Sequence, residues 1–526
     1  MKTKLKFMFM ASVFLGIVIF AAIAADNSDS LNEFDDADTF DESMFEDDTG
    51  FSSFSDGTDS FSEDSGSTGG FGSFFSTTDS SLTFNGQALM EARAYIDQDD
   101  TDSQDSPTLV NPDLTLTATY NSSSTELEAK LNFSKDSIQT YNEDVIEEFT
   151  ARAYLGNWII EGGKMKIVWG KGLKLHAIDN FNATDYTNFL IPEYIDRRLA
   201  EPMLRAAYNS PSGWRMEAIY TPTMTGERYA DKGVWVPGEI SSLEKIVKAK
   251  ALAATGTGSA ENPGFAQKLA AASSLSSDSL YPDTKKLKYG QAGIRFTGTF
   301  GGFDWGLSYY YGRNKKISAY VPKISAYIQD YVTNGGSSNL DSGLEYDRMQ
   351  TFGIEGAKTF GAVNTRFEIA YNLTDDISGD DPEVRNNSIT WVPGFDVPLP
   401  IHNMTLNVQE LGTVILKSSK IKDNKGKITP GMNYDVDADS DDCYTNNKIA
   451  VAISDSFLHE KLLVDCTTIY GIERKDLAIM PKITGIIKTD IELYVQGLYI
   501  WCQDKDSEFY AWKNNSFAQI GIKYTF

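Results

Sequence analysis

Residues 517–526 read Phe-Ala-Gln-Ile-Gly-Ile-Lys-Tyr-Thr-Phe. Every second side chain in it is apolar: Ala518, Ile520, Ile522, Tyr524 and Phe526. The positions between them are polar or glycine, so the stretch has a period of two and forms a strand with one apolar face. A tilted strand of about ten residues is long enough to cross a bilayer. The stretch therefore predicts a membrane-crossing β-strand.

The end of this strand carries a second signal, Phe526 with Tyr524 two residues before it. This pattern resembles the C-terminal signature of bacterial outer-membrane proteins. The resemblance implies that Tyr524 and Phe526 are an assembly signal, which the barrel assembly machinery reads when it closes the barrel. It also implies that periplasmic chaperones and outer-membrane lipid are partners of the chain.

The other end of the sequence has the order of a secretory signal. Lys2, Lys4 and Lys6 precede an apolar run over 7–23, and small residues follow at 22–25. This order predicts a signal peptide over residues 1–25. No later stretch reaches ~18 consecutive apolar residues, the length of a transmembrane helix. A secreted chain with many two-period segments predicts an outer-membrane barrel.

Residues 26–80 form an acidic segment with sixteen acidic residues and no lysine or arginine. Low hydrophobicity and charge of one sign predict a disordered periplasmic segment. Phenylalanines recur through it, so a periplasmic binding role or a plug in the barrel stays open beside the simpler interpretation of a solvated spacer. The formal net charge of the chain is −27, which argues against nucleic acid as a partner.

From residue 81 to the end, the sequence reads as a series of hairpins. Alternating segments are joined by short turns and long connections in strict succession. The long connections are 98–112, 135–146, 170–201, 222–287, 314–348, 374–386, 412–447 and 503–515, with one short link near 473–476. Short turns at one end and long loops at the other are typical of transmembrane barrels. Residues 81–526 are therefore predicted to be an all-β, antiparallel, up-and-down β-barrel of about 16–18 strands.

The two faces of these strands predict which side meets lipid. One face is apolar with aromatic residues near strand ends, as in interfacial girdles. The other face carries charges of both signs, and each would cost a few kcal/mol in lipid at mid-depth. This face must line the lumen. The predicted pore-lining residues are Arg93, Glu148, Arg152, Arg205, Arg215, Glu217, Arg295, Glu355, Arg366 and Glu368.

A further resemblance lies in residues 162–221. They contain Trp169-Gly170, the run Asn182-Ala183-Thr184-Asp185, and Tyr220-Thr221-Pro222 just beyond. The region resembles a poorly characterised family of Gram-negative outer-membrane barrels related to alginate-export-like porins, although the second run lacks that family's proline. The resemblance implies a pore-like barrel and no catalytic residues.

In such barrels the loop 170–201 can fold inward, which would place Asp179, Asp185, Arg197 and Arg198 in a constriction. The two arginines would then approach the lumen acids Glu148 and Glu217. An external loop is the open alternative.

Other chemistry is sparse. The three histidines are far apart in the sequence, and no nucleophile motif or zinc-ligand spacing is present, so an enzyme and a cofactor are not predicted. The alternate carboxylates Asp435, Asp437, Asp439 and Asp441 are a weak candidate for Ca²⁺, because the mid-loop glycine and the bidentate glutamate of a calcium loop are missing. Residues 238–254 predict an amphipathic helix in the largest outer loop, packed over the pore mouth.

These patterns predict a porin or substrate-selective channel for small polar solutes in the outer membrane. Two alternatives remain. A carrier for hydrophobic molecules needs an apolar pocket in the lumen, and a surface adhesin would use the long outer loops.

Overall fold

A computed structural model describes residues 80–96, 108–259, 261–381, 383–420 and 444–526. The predicted signal peptide 1–25, all but the last residue of the acidic segment 26–80, and the candidate calcium ligands Asp435, Asp437, Asp439 and Asp441 lie outside these residues. The part of the chain that is described contains the whole sheet.

Eighteen long strands form a single sheet. Their bounds are β1 Ser80–Tyr95, β2 Thr108–Ser122, β3 Thr125–Ser134, β4 Ile146–Leu155, β5 Trp158–Met165, β6 Glu201–Asn209, β7 Trp214–Thr221, β8 Gln291–Phe300, β9 Phe303–Arg313, β12 Arg348–Phe360, β13 Val363–Thr374, β14 Ser388–Pro398, β15 Thr405–Ile415, β16 Thr445–Phe457, β17 Leu462–Gly471, β18 Asp476–Lys488, β19 Ile491–Cys502 and β20 Phe517–Thr525. The two-residue strands β10 Ser318–Ala319 and β11 Leu344–Glu345 form a separate pair.

The sheet closes on itself because the last strand pairs with the first. β20 runs antiparallel to β1, with Tyr95 opposite Phe517 and Gln87 opposite Thr525. At the end of this seam the amide of Gly86 donates to the carbonyl of Phe526 at 2.7 Å, and the amide of Phe526 donates back at 2.9 Å. The predicted antiparallel barrel is confirmed, with eighteen strands.

The connections alternate as the sequence predicted. One end of the barrel has short turns, such as 301–302 between β8 and β9, where both glycines have a positive φ (60° and 70°) as a tight hairpin requires. The other end has the long loops, with the short link 472–475 between β17 and β18 as the predicted exception. In barrels of this class the short turns face the periplasm and the long loops face outward, so we call the two ends inner and outer.

The outward-facing side chains of the strands form an apolar wall. Exposed members of this wall include Phe84, Met90, Phe149, Trp158, Leu204, Trp214, Tyr220, Leu307, Phe352, Ile369, Leu493, Ile520 and Ile522. Exposed apolar residues on a closed barrel, alternating with an inward polar set, face lipid. The protein is therefore an outer-membrane β-barrel.

In the described residues, the outer loops contain the α-helices α1 Lys135–Gln139, α2 Gly238–Ala254, α3 Pro263–Ser274 and α4 Val321–Thr333. The predicted helix 238–254 is confirmed as α2. Val247 and Ala251 of α2 pack with Ile324 and Ile328 of α4 and with Ala272 of α3. These three helices form a helical cap. Within the described residues, no helix is long and apolar enough to cross a membrane.

One strand is shorter than the sequence indicated. The alternation extends to Trp169, but β5 ends at Met165, opposite Glu201 of β6. Beyond that point the backbone amide of Ile167 donates to the side chain of Asn182 at 2.9 Å, so a side-chain contact replaces the sheet ladder. The chain then turns into the barrel.

Candidate pore and luminal segment

Residues 166–200, here called the luminal segment, lie inside the barrel. Trp169, Ile178 and Phe181 are buried, and they pack against inward-facing residues of six strands. These strand residues are Met203 of β6, Ile219 of β7, Tyr310 of β9, Met349 of β12, Ala370 of β13 and Val392 of β14. The rings of Trp169 and Tyr310 both pack edge-on against Phe181, at 5.0 and 5.2 Å. The segment is thus packed against the wall.

Glu368, in the middle of β13, holds the tip of the luminal segment. Its carboxylate accepts hydrogen bonds from the backbone amides of Gly172 at 2.6 Å, Ala177 at 2.7 Å and Ile178 at 3.2 Å. The ring Nδ1 of His176 lies 3.0 Å from the same carboxylate, whose side chain is fully buried. Several hydrogen bonds to one buried anion fix the backbone that supplies them.

Other strands hold the segment from different directions. The indole of Trp169 donates to Glu217 on β7 at 2.6 Å, and the amide of Lys174 donates to Gln409 on β15 at 2.8 Å. Arg93 on β1 donates to the side chain of Asn188 at 2.7 Å, and the amide of Lys166 donates to Glu148 on β4 at 3.1 Å. Because these strands lie around the whole wall, the segment spans the lumen.

Asn182 ties the two ends of the segment together. Its side-chain amide donates to the carbonyls of Met165 at 3.1 Å and Leu199 at 2.8 Å, and its oxygen accepts from Ile167. The residue is 1% exposed. A buried amide with three satisfied hydrogen bonds costs little to bury and defines one conformation.

The structure brings together Asp179 and Arg198, two of the four predicted constriction residues. They form an ion pair at 2.8 Å, and the hydroxyl of Tyr194 donates to Asp179 at 2.7 Å. Burial raises the pKa of Tyr194 well above its usual value. Burial opposes the charge of Arg198, but Asp179, Tyr194, Tyr186 and Glu227 together raise the arginine's pKa above its usual value. This pair is internal to the segment.

The lumen acids Glu148 and Glu217 form no ion pair with either arginine among the described residues. Arg198 is 5% exposed and neutralised by Asp179, while the Nε of Arg197 donates to the carbonyl of Pro192 at 3.0 Å. Both arginines thus stabilise the fold of the segment.

Asp185, the fourth predicted constriction residue, points toward the outer loops. It accepts from the amide and hydroxyl of Thr187 and pairs with Arg228 at 3.1 Å. Arg228 also pairs with Asp144, and its guanidinium lies 3.8 Å from the ring centroid of Tyr141. Asp185 therefore joins the luminal segment to two outer loops.

Charged residues on successive strands form a belt along about half of the inner wall. The belt alternates in sign: Glu126 (β3), Arg152 (β4), Glu161 (β5), Arg205 (β6), Glu217 (β7), Arg295 (β8) and Glu355 (β12). Arg152 lies 3.1 Å from Glu126 and 2.7 Å from Glu161. Arg205 lies 3.0 Å from Glu161 and 2.8 Å from Glu217. Glu126, Glu161 and Glu217 thus each lie beside an arginine of the wall.

The belt crosses β9 because that strand has a glycine at the crossing. Arg295 on β8 contacts Glu355 on β12 at 2.6 Å, although β9 lies between the two strands. A Cβ at Gly306 would collide with the carboxylate of Glu355. The missing side chain therefore makes room for the ion pair.

The remaining predicted pore-lining residues occupy the inner face as well. Arg93 is 4% exposed and donates to Gln519 at 2.7 Å, Arg215 lies 3.5 Å from Glu217, and Arg366 pairs with Asp396. Their contacts are predominantly ion pairs and hydrogen bonds within the wall.

Sequence reasoning missed several residues of this site. Glu161 and Gln409 lie at inward positions of strands that the alternation had identified, so the same signal could have found them. Lys315 and Arg385 lie in long outer loops. No periodicity exists there, and their position could not be read from the sequence.

The inner wall is not polar throughout. Near the outer end of β16–β20 it carries Ala450, Ile469, Ala478, Met480, Leu498, Ile500 and Phe517. Phe189 of the luminal segment, Trp235 and Phe509 cover this surface, and the rings of Phe189 and Trp235 stack at 5.3 Å. The sequence predicted an inner face with charges of both signs, whereas this part of the inner wall is apolar, because inward-folded loops need an apolar surface on which to pack.

Two cavities line the luminal segment on opposite sides. The outer cavity, of about 230 Å³, is bounded by Asp179 and Asn182 and by the outer ends of β12–β15. The inner cavity, of about 240 Å³, includes Lys171 and residues near the inner turns, such as Asp304 and Arg366. The segment therefore partitions the lumen. Among the described residues, no cluster of three or more metal-ligating side chains is found.

The sequence profile of a family described as "Protein of unknown function (DUF1302)" matches residues 162–457, more than half of the chain. The chain belongs to this family. The region shared with the DUF1302 family begins in β5, includes the luminal segment and the helical cap, and ends in β16. No curated protein matches the sequence.

Solved outer-membrane barrels are similar to this DUF1302 protein at very low identity. A BenF-like porin from Pseudomonas fluorescens Pf-5 is 8% identical, with a TM-score of 0.42 over 85% of this chain and 98% of that chain. Wzi, a carbohydrate-binding barrel involved in group 1 capsule assembly in Escherichia coli, is 10% identical, with a TM-score of 0.40 over 84% of each chain. A loop-deletion mutant of OmpT from Vibrio cholerae is 10% identical, with a TM-score of 0.32 over 85% of this chain and all of that one. Function must be argued from the geometry of the barrel.

Proposed function

We propose that this barrel is a substrate-selective channel for small polar solutes, with the luminal segment as its constriction. One observation carries the proposal: the segment is fixed at the level of Glu368, in the middle of β13, and has a polar cavity on each side. A barrel of this strand number is wide enough for an aqueous channel. A fixed loop across it narrows the path.

The charged belt supports passage of polar solutes. Its ion pairs keep the inner wall hydrated without a large net field of either sign, since each carboxylate lies beside an arginine. Selection by size and by hydrogen bonding at the constriction follows from such a wall. Ion selectivity should consequently be modest.

The alternatives find less support. A carrier for hydrophobic molecules needs open apolar surface in the lumen, whereas the apolar inner residues here are covered by Phe189, Trp235 and Phe509. An adhesin would use the outer loops, but three of their helices pack on one another as the cap. The resemblance of residues 162–221 to alginate-export-like porins stays a prediction.

Two other assignments belong to this proposal. We regard Tyr524 and Phe526 as the signal read by the barrel assembly machinery, with periplasmic chaperones delivering the chain and lipid surrounding the wall. The protein is proposed to be a channel and not an enzyme.

Conductance is the direct test. Purified, folded barrel in a planar bilayer should give discrete current steps in KCl, and liposomes containing it should swell in small neutral solutes but not in larger ones. A folded, heat-modifiable barrel that is silent in every salt would contradict the proposal. Deletion of 222–287 would then separate an adhesin, which loses its ligand, from an inactive channel.

A further inference from the structure

The outer cavity is lined almost entirely by polar side chains. Of its nineteen lining residues only Ala177, Met349 and Ile415 are apolar, and five are asparagines and five are serine or threonine. Cationic residues also reach it: Arg198, Lys315, Lys316 and Arg385. Most small-molecule sites are predominantly apolar with a few convergent polar groups, so a cavity with this lining suits a strongly polar ligand.

Arg385 differs from the other buried cations of this cavity. Arg198 is paired with Asp179 at 2.8 Å, and Lys315 with Glu201 at 3.0 Å. Within the part of the chain that the structure describes, no carboxylate lies within ion-pair distance of the Arg385 guanidinium. One terminal nitrogen donates to the carbonyl of Ile317 at 3.1 Å, and Nε has no partner there.

Asp347 lies beside Arg385, but its carboxylate binds groups other than the guanidinium. Asp347 accepts from the backbone amide of Arg385 at 3.1 Å and from the hydroxyl of Ser318 at 2.6 Å. Arg385 is 6% exposed, so its charge is buried and most of its five N–H donors are left for whatever fills the cavity. Burying a charge without a partner is costly. The two carboxylates that line the cavity, Asp179 and Glu227, bind Arg198 and the hydroxyl of Tyr229, so the Arg385 guanidinium has no ion-pair partner among the described residues.

We infer that the outer cavity binds a small hydroxy acid, whose carboxylate pairs with Arg385 and whose hydroxyls contact the asparagines and threonines around it. A guanidinium forms two parallel hydrogen bonds with a carboxylate, which fixes orientation as well as charge. The cavity volume of about 230 Å³ is below the roughly 300 Å³ at which drug-sized sites begin, so the solute is small. The inference rests on the proposed channel function and specifies its substrate class.

Gluconate and its neutral counterpart glucitol are suitable probes. Titration calorimetry on the folded, full-length barrel in detergent should show binding of gluconate and at least about tenfold weaker binding of glucitol, the loss expected from one charge-assisted pair. Arg385→Gln should weaken gluconate binding by a similar factor. The matched control is Arg348→Gln, which removes the same charge at the outer end of β12 but lies outside the cavity.

The outcomes are separable. Equal affinity for gluconate and glucitol in the parent protein overturns the inference without any variant, and so does an equal effect of the two substitutions. If Arg385→Gln fails to give a heat-modifiable barrel, Arg385→Lys is the second variant. Lysine keeps the charge but cannot form two parallel hydrogen bonds with a carboxylate, so this variant should bind gluconate more weakly while its binding of glucitol stays the same. A barrel that conducts but does not bind gluconate refutes this site alone. A barrel that binds gluconate but never conducts refutes the channel.

Discussion

The carboxylate of Glu368 on β13 accepts a 2.7 Å hydrogen bond from the backbone amide of Ala177, 191 residues away in the sequence. This contact and its neighbours fix the luminal segment across the pore. Because the Glu368 side chain is buried and cannot move freely, it holds the luminal segment in one position. The width of the channel should therefore depend on Glu368.

Glu368→Gln is expected to raise single-channel conductance. The amide has one acceptor oxygen and no charge, so at least one of the bonds to Gly172, Ala177 and Ile178 is lost, at a cost on the order of 3 kcal/mol for a buried charged acceptor. The control is Glu492→Gln, another inward-facing carboxylate, whose partner is Lys523 at 2.8 Å. Equal conductance for both variants and the parent would show that Glu368 does not set the pore width.

The two neighbouring arginines should behave differently. Arg198→Ala leaves Asp179 buried without its cation, a loss of about 3–5 kcal/mol for a buried pair. The luminal segment should loosen and current noise should increase. Arg197→Ala removes a hydrogen bond to a carbonyl and should leave conductance close to the parent value. Reversal potentials under a KCl gradient complete the comparison. A large change in ion selectivity in Arg197→Ala, with none in Arg198→Ala, would reverse these roles.

Assembly should depend on the closing seam. Gly86 exchanges two backbone hydrogen bonds with Phe526, and a Cβ at Gly86 would collide with the Phe526 ring. Gly86→Leu and Phe526→Ser should both lower the yield of heat-modifiable barrel in outer membranes. Lys523→Gln, on the inner face of the same strand, should affect yield much less. Similar yields for all three would argue against a role of this seam in closure.

Binding of an anion in the outer cavity should strengthen as the pH falls. Burial raises the pKa of Asp347, with Ser318 and Arg385 opposing and Glu345 adding to the shift. Asp347 is therefore protonated at a higher pH than an ordinary aspartate, whose side-chain pKa is about 3.9. Once it is neutral, the positive charge of Arg385 is less compensated.

The probe for this pH effect is a sulfonate analogue of the hydroxy acid, whose own charge stays constant. Its affinity should increase between pH 7 and about pH 4 in the parent protein. In Asp347→Asn the affinity should be high at both pH values. A pH dependence that survives this substitution would point to another titrating group.

The sequence alone determined the barrel. Strand number, faces, hairpins and the alternation of short and long connections follow from a period of two, which depends only on neighbouring residues. The same pattern identified the belt residues Arg152, Arg205, Glu217 and Arg295, because a charged side chain on a membrane-crossing strand is destabilising unless it points into the lumen. Helix α2 was likewise predicted from the spacing of apolar residues within its own segment.

The tertiary structure alone decided the site. Whether residues 166–200 lie inside the barrel depends on contacts such as Glu368 with Ala177 and Arg93 with Asn188, between residues 191 and 95 positions apart. The pairing of Arg198 with Asp179, and the absence of such a pair at Arg385 among the described residues, likewise depend on how the loops fold onto the strands. Loop sequences have no apolar–polar periodicity from which a position could be predicted. Their position depends on contacts with strand residues that come together only when the barrel closes.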